Sequence, residues 1–395
     1  MLLVTTALAS CGPVSKGTTH AQPSPTGGHA SGSATPTPSP AIPVPSVGAA
    51  QAQVTCKGHA TSAMALVGSA EGQISLADTR DPAKPQTLCT LTGVRAPKFA
   101  SSTDISYVTV SNYSPSTSST DFKSSIVRQP IEATAGQTIV NYTGGINTHA
   151  WSPDGNTLVY LVSNVAGGNQ YDELVFKDLV GQPLNTVSRM PAPGRGCCTY
   201  EDVQYLRFSA DGFYVVLVDG FVAANDSGSP DTSHVQVRQS MADSQTWVPP
   251  SPTTSTAAAW SRKGAVMYFR DRAGVSKWDA ASAQPATLVY PGLHWYDPSV
   301  SPDGRSVAYT MRDAQDVPQV EIRDLLTGTA HTVSMKSRSH PLYVDAKTLW
   351  YEGEGGCTGP TPVKSCPDGR FFSYSITTQQ ETLLPFATVY DTWPH

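Results

Sequence analysis

The stretch "AWSPDGNTLVY" (residues 150–160) sets a Pro, an Asp and a Gly between two apolar runs. It reads as strand, tight turn, strand. Pro153 has its φ preset for the second position of a type I turn. Asp154 tolerates the bridge region at the next position, and Gly155 supplies the left-handed residue that lets the hairpin close. The pattern returns as "RFSADGFYVVLV" (207–218), "AWSRKGAVMYF" (259–269) and "SVSPDGRSVAY" (299–309). Looser copies are "KFASSTDISYVTV" (98–110) and "LYVDAKTLWYEG" (342–353). In the third strict copy Lys263 stands where the others carry an acid. A carboxylate that every copy needed for chemistry would not be exchanged for Lys. Asp154, Asp211 and Asp303 are therefore read as turn residues.

A second pattern follows each copy: a short β run, a polar turn and another β run. Its seven instances begin at Ile74, Ser125, Glu173, Val235, Val275, Val320 and Phe371. The spacing of roughly forty to sixty residues suits one propeller blade with its loops. Two hairpins per unit make a four-stranded antiparallel sheet, and seven units make a closed ring. The predicted fold is thus all-β, a seven-bladed β-propeller, with six or eight blades as the alternatives. The unit "TCKGHATSAMALVGSAEG" (55–72) is the weakest. The tail "FATVYDTWPH" (386–395) is expected to pair with the first unit and close the ring.

The Ser-Pro-Asp-Gly hairpins resemble those of TolB-type β-propellers, over about residues 56–385. The resemblance implies a fold and leaves function open, because the same repeats occur in periplasmic scaffold proteins and in the propellers of prolyl-oligopeptidase-type enzymes. The latter pair the propeller with an α/β hydrolase. No second domain is expected here, and neither a G-x-S-x-G elbow nor H-E-x-x-H occurs.

Composition agrees with a turn-rich β fold: 32 Gly and 32 Pro in 395 residues, and only 14% charged residues. The net charge of -5 and the lack of a basic block exclude an electrostatic case for a nucleic-acid partner.

Residues 1–10 read as a lipoprotein-type signal segment. "LLVTTALASC" is too short to span a membrane, and small residues precede Cys11, the expected lipidation site. No Lys or Arg precedes the apolar run, so the usual positive n-region is missing. Residues 11–50 are almost free of large apolar side chains and read as a disordered Pro/Ser/Thr/Gly-rich tether, with a reach on the order of 100 Å. Residues 51–395 form the propeller domain. The expected location is the outer side of the bacterial cytoplasmic membrane or elsewhere in the cell envelope.

With Cys11 lipidated, six cysteines are left for disulfides in an exported chain. Cys357 and Cys366 are the best pair, Cys197 and Cys198 form a candidate vicinal disulfide, and Cys56 and Cys89 pair by elimination. No cofactor, metal site or catalytic residue is assigned. The oxygen-rich "NDSGSPD" (225–231) lacks the spacing of a calcium loop.

Propeller topology puts the Pro-Asp-Gly turns on one face and the long insertions on the other. Aromatic and acidic residues gather in those insertions: Tyr113, Tyr171, Asp172, Tyr200, Glu201, Asp202, Trp295, Tyr296 and Asp297. They make a candidate rim for a protein, peptide or glycan, on a domain expected to be monomeric. His149 and Tyr205 start inner strands and are candidates for the channel wall. The leading hypothesis is a lipid-anchored binding or scaffold module. The alternative is an enzyme at the channel mouth, a hydrolase or a lyase or lactonase-like propeller.

Overall fold

Apolar runs broken by Pro-Asp-Gly or polar turns become strands, and no helix occurs among the described residues. The computed structural model describes residues 52–111, 123–166, 169–180, 186–190, 199–223, 233–239, 245–247, 258–270, 274–282, 284–291, 295–313, 317–354 and 367–393. The strands fall into seven antiparallel sheets.

The first sheet holds β1 (Gln53–Cys56), β2 (Met64–Gly68), β3 (Ile74–Asp78) and β4 (Gln86–Thr92). The second holds β5 (Arg95–Phe99), β6 (Asp104–Ser111), β7 (Lys123–Pro130) and β8 (Gln137–Thr143). The third holds β9 (Ile146–Trp151), β10 (Thr157–Ala166), β11 (Asn169–Asp178) and β12 (Thr186–Met190). The fourth holds β13 (Thr199–Phe208), β14 (Tyr214–Ala223), β15 (Ser233–Gln239) and β16 (Gln245–Trp247). The fifth holds β17 (Ala258–Trp260), β18 (Val266–Arg270), β19 (Gly274–Asp279) and β20 (Thr287–Pro291). The sixth holds β21 (Trp295–Val300), β22 (Ser306–Arg312), β23 (Pro318–Asp324) and β24 (Ala330–Lys336). The seventh holds β25 (Arg338–Asp345), β26 (Thr348–Glu354), β27 (Pro367–Ser375) and β28 (Gln380–Leu383). One strand is left, β29 (Thr388–Trp393), and it pairs with β2 of the first sheet, from Met64↔Trp393 to Gly68↔Thr388.

The first sheet departs from the four-stranded expectation. Its order is β1-β4-β3-β2-β29. The tail supplies the strand beside β2, as expected, so the segment at 53–56 does not start the unit but adds a fifth strand outside β4. Cys56 and Cys89 face each other in that ladder and form a disulfide.

The core lies between sheets. Leu66 and Leu76 of the first pack with Phe99 and Ile105 of the second. Ile126 packs with Leu158 between the second and third, Phe176 with Phe208 between the third and fourth, and Val216 with Met267 between the fourth and fifth. Val275 packs with Tyr309, and Val320 with Tyr351, across the next two interfaces. Trp350 and Phe371 of the seventh then pack with Ala65 and Val67 of the first. Each fully buried side chain of this kind contributes on the order of 2 kcal/mol. Antiparallel sheets packed face to face in chain order are the arrangement of a β-propeller-like fold.

The turns confirm the reading of Asp154. Gly155 N donates to Ser152 O at 2.8 Å, and Gly155 has φ +70°. The Ser152 hydroxyl donates to Asp154, and the Thr157 amide donates back to that hydroxyl. The same bonds recur at Ser209 and Asp211, and at Ser301 and Asp303. Burial pushes the Asp154 carboxyl up, but the hydrogen bonds from Ser152 and Asn156 outweigh it and hold it below the ordinary carboxylate value.

Candidate functional site

A cavity of about 640 Å³ is lined by residues from one edge strand of each of the seven sheets, β29 in the first and the earliest strand in the others. Phe99, Ala150, Arg207 and Trp260 contribute from β5, β9, β13 and β17. Val300, Tyr343 and Asp391 contribute from β21, β25 and β29. Pro153, Ala210 and Arg262 belong to the turns that follow β9, β13 and β17, so the cavity extends to the turn end of the sheets.

The charged residues among its walls are Lys98, Arg207, Arg262 and Asp391. Asp391 is buried. Its Oδ1 accepts from Arg207 Nη2 at 2.9 Å and its Oδ2 from the Phe99 amide at 2.9 Å. Lys98 Nζ donates to the Tyr390 carbonyl at 3.0 Å, and Arg262 Nη2 to the Tyr343 carbonyl at 3.1 Å. Lys98 keeps part of its surface on the cavity, which itself lies inside protein. That burial pushes its ammonium pKa down. Asp391 opposes the shift and the Arg207 charge adds to it. Burial, and then the same Arg207 charge, push Arg262 down to about 10.

The four charged residues were not singled out from the sequence. The signal for three of them is position. Lys98 and Arg207 stand two residues before the turn on first strands, where Ala150, Ala259 and Ser299 stand in other units, and Arg262 sits in the turn itself. A cation at a position otherwise filled by small residues marks the inward face. Nothing local marks Asp391, whose partners are 292 and 184 residues away.

His149 is not on the cavity wall. Its neighbours Thr148 and Ala150 are. Side chains alternate along a strand, and His149 turns into the interface with the second sheet. There its Nε2 lies 2.7 Å from the Ser106 hydroxyl, which also accepts from Trp151 Nε1 at 2.7 Å. Its Nδ1 is buried with no hydrogen-bond partner. Burial above all, with Lys98 adding, pushes His149 down to about 3. It is a neutral structural residue at physiological pH. Tyr205 lies on β13 opposite Val218.

The candidate rim residues among the described ones lie on strands rather than in loops. Tyr171 pairs with Asn164, and Asp172 with Ser163, in the β10–β11 ladder. Tyr200, Glu201 and Asp202 pair with Val222, Phe221 and Gly220 in the β13–β14 ladder. Trp295, Tyr296 and Asp297 are on β21, with Trp295 opposite Met311 and Tyr296 opposite Thr310. The strand order places all of them at the end of their sheets away from the Pro-Asp-Gly turns. The segments carried more alternating β-formers than a loop needs, and the strands simply continue. Cys11 and the tether, Tyr113, the pairs Cys197–Cys198 and Cys357–Cys366, and residues 225–231 lie outside the described residues. Among the described residues no group of His, Cys, Asp and Glu is arranged to hold a metal ion.

No family model matches the chain, and no curated protein matches it. Among solved structures it is similar to TolB from Acinetobacter baumannii, at 16% identity and TM-score 0.43, over 86% of this chain and 68% of that one. It is similar to the β-propeller domain of the Trilobed protease from Pyrococcus furiosus, described as having an open velcro topology. That likeness has 11% identity and TM-score 0.45, over 73% of this chain and 91% of that one. It is also similar to the acylaminoacyl peptidase of Pyrococcus horikoshii, at 10% identity and TM-score 0.43, over 71% of this chain and 44% of that one.

Proposed function

We propose that the chain is an exported binding module: a closed seven-bladed β-propeller, anchored through lipid on Cys11 and held off the membrane by residues 11–50. It displays the end away from the Pro-Asp-Gly turns to a protein, peptide or glycan. One observation carries the choice of face. The β10–β11 ladder runs on through Ala166↔Asn169, whereas β9 pairs with β10 only as far as Val162. Four rungs, from Ser163↔Asp172 outward, therefore overhang the inner strand by about 13 Å. In the next sheet β13–β14 runs on to Thr199↔Ala223, past the last pair between β14 and β15 at Gly220↔Ser233. Two neighbouring ribbons thus project at one end and carry Tyr171, Asp172, Tyr200 and Glu201. A projecting ribbon offers main-chain bonding groups as well as side chains to a partner. The circuit of cores and the tail strand beside β2 support a rigid ring beneath them.

Replacement of Asn164–Tyr171 by Asn-Gly tests this reading. The shortened protein is expected to keep its unfolding temperature and to lose the envelope partner that crosslinks to the unaltered protein. Retention of that partner would rule the face out. Intact mass from the membrane fraction tests the anchor: the expected species begins at a lipidated Cys11.

The cavity motivates a second reading, because its volume falls within the range of small-molecule sites. In that reading the chain is a channel-mouth hydrolase or lyase or lactonase-like enzyme. Turnover by the purified protein, lost on mutating cavity residues, would replace the first reading with the second.

A further inference from the structure

We propose that the turn-side mouth of the central cavity binds the oxyanion group of a small acidic ligand, held by Lys98, Arg207 and Arg262. This site is at the opposite end from the projecting ribbons and does not depend on them.

Charge balance is the first argument. The walls carry three cations and one carboxylate, Asp391, for a net charge of +2 with His340 neutral. The whole chain is acidic at -5, so the cavity runs against its own protein. Arg207 disfavours the charge on both Lys98 and Arg262, so the three cations share one electrostatic neighbourhood. Like charges held together away from water cost stability. An anion among them relieves that cost and forms charge-assisted hydrogen bonds.

The partners are the second argument. Several structural arginines elsewhere in this fold end on carboxylates, whereas Lys177 donates to the Ile139 carbonyl. Arg128 meets Asp104 at 2.7 Å, and Arg338 grips both oxygens of Glu381 at 2.9 Å. Lys98 and Arg262 instead donate to backbone carbonyls, of Tyr390 and Tyr343. A carbonyl orients a cation without neutralising it. That is how a site holds charge ready for a ligand, at a cost to the empty fold. Asp345 acts on Arg262 only as a more distant opposing charge.

The walls define the rest of the ligand. Thr148, Ala150, Ala259 and Ser299 line the same cavity. A small oxyanion fits this combination of cationic groups and short side chains.

Titration calorimetry and thermal unfolding of the full chain test the proposal, with citrate and inorganic phosphate as probes and sodium chloride at matched ionic strength as control. Saturable binding of at least one probe is expected, together with a rise in unfolding temperature that chloride does not reproduce. Binding of citrate alone identifies a carboxylate site, binding of phosphate alone a phosphate site, and binding of both a general oxyanion site. Arg262→Gln is expected to weaken binding at least tenfold, and Lys98→Met with Arg262→Gln to abolish it. Without the anion the variants are expected to be at least as stable as the unaltered protein. Absence of saturable heat from both probes overturns the proposal, and this needs no variant to fold. Affinity unchanged within twofold in Arg262→Gln also overturns it. The Asn164–Tyr171 replacement is expected to leave anion binding intact, which separates this site from the partner face.

Discussion

Asp154 and Asp391 are both carboxylates near the turn end of the sheets, and they do opposite work. Asp154 bonds to Ser152 and Asn156, two residues away on either side. Asp391 bonds to the Phe99 amide and to Arg207, and so ties the last strand to the second and fourth sheets. The first acid shapes one hairpin. The second holds together parts of the chain that only the circuit of sheets brings near. The local role repeats from unit to unit, whereas the Asp391 role rests on residues 292 and 184 positions away.

Three tests bear on this contrast. The largest effect belongs to Asp391→Ala. It strips a buried partner from Arg207 and a bond from the Phe99 amide, and it should cost about 3–5 kcal/mol in denaturant unfolding. Asp154→Ala should cost about 1 kcal/mol. Equal losses would mean that Asp391 adds nothing beyond a local bond.

The next effect is a pH dependence. Folding holds His149 down to about 3, below the value near 6.5 that it regains on unfolding. The unfolded chain therefore takes up a proton first as pH falls. The stability contributed by neutral His149 is complete above pH 6.5. It declines by about 1.4 kcal/mol per unit below that, until the folded value is reached. Carboxylates with lowered values titrate below about pH 4, so the window from 6.5 to 4.5 lies above them. In His149→Gln the loss of stability per pH unit across that window should be smaller by up to about 1.4 kcal/mol. An unchanged slope would assign the pH dependence elsewhere.

The smallest effect asks how local a turn is. Gly264 has φ +64°, and an added Cβ would meet nothing within 4 Å. Gly264→Ala should cost only the left-handed strain of about 1 kcal/mol. Gly155 has φ +70°, and its Cβ would lie 2.7 Å from the Ala100 carbonyl of the preceding sheet. Arg128 also donates to the Gly155 carbonyl at 2.8 Å. Gly155→Ala should therefore cost at least twice as much. Equal costs, read from thermal unfolding, would show that the turn does not press on its neighbour.

The hairpins and the order of the sheets were legible in the sequence, because each depends on residues a few positions apart. Ser, Pro, Asp and Gly at residues 152–155 set a turn by their own φ preferences and short-range hydrogen bonds, whatever lies around them. The tail strand was legible by a similar route, as a β run with no local partner. The rim was legible in part. Tyr171, Asp172, Tyr200, Glu201 and Asp202 were expected in loops, yet β10, β11, β13 and β14 continue through them, since strand ends depend on pairing that a single segment does not reveal. His149 was expected on the channel wall because it sits on an inner strand, but the side-chain alternation there turns it toward Ser106.

The repeating hairpins, their all-β character and the turn role of the Pro-Asp-Gly acids follow from backbone preferences and nearest neighbours, and so were readable from the residues alone. It took the packed sheets to place β1 as a fifth strand outside β4 and to bring Lys98, Arg207, Arg262 and Asp391 to one cavity. Those contacts join residues far apart in the chain. Their energies exist only after the sheets have packed, so a local pattern such as a cation at an inward position does not fix them.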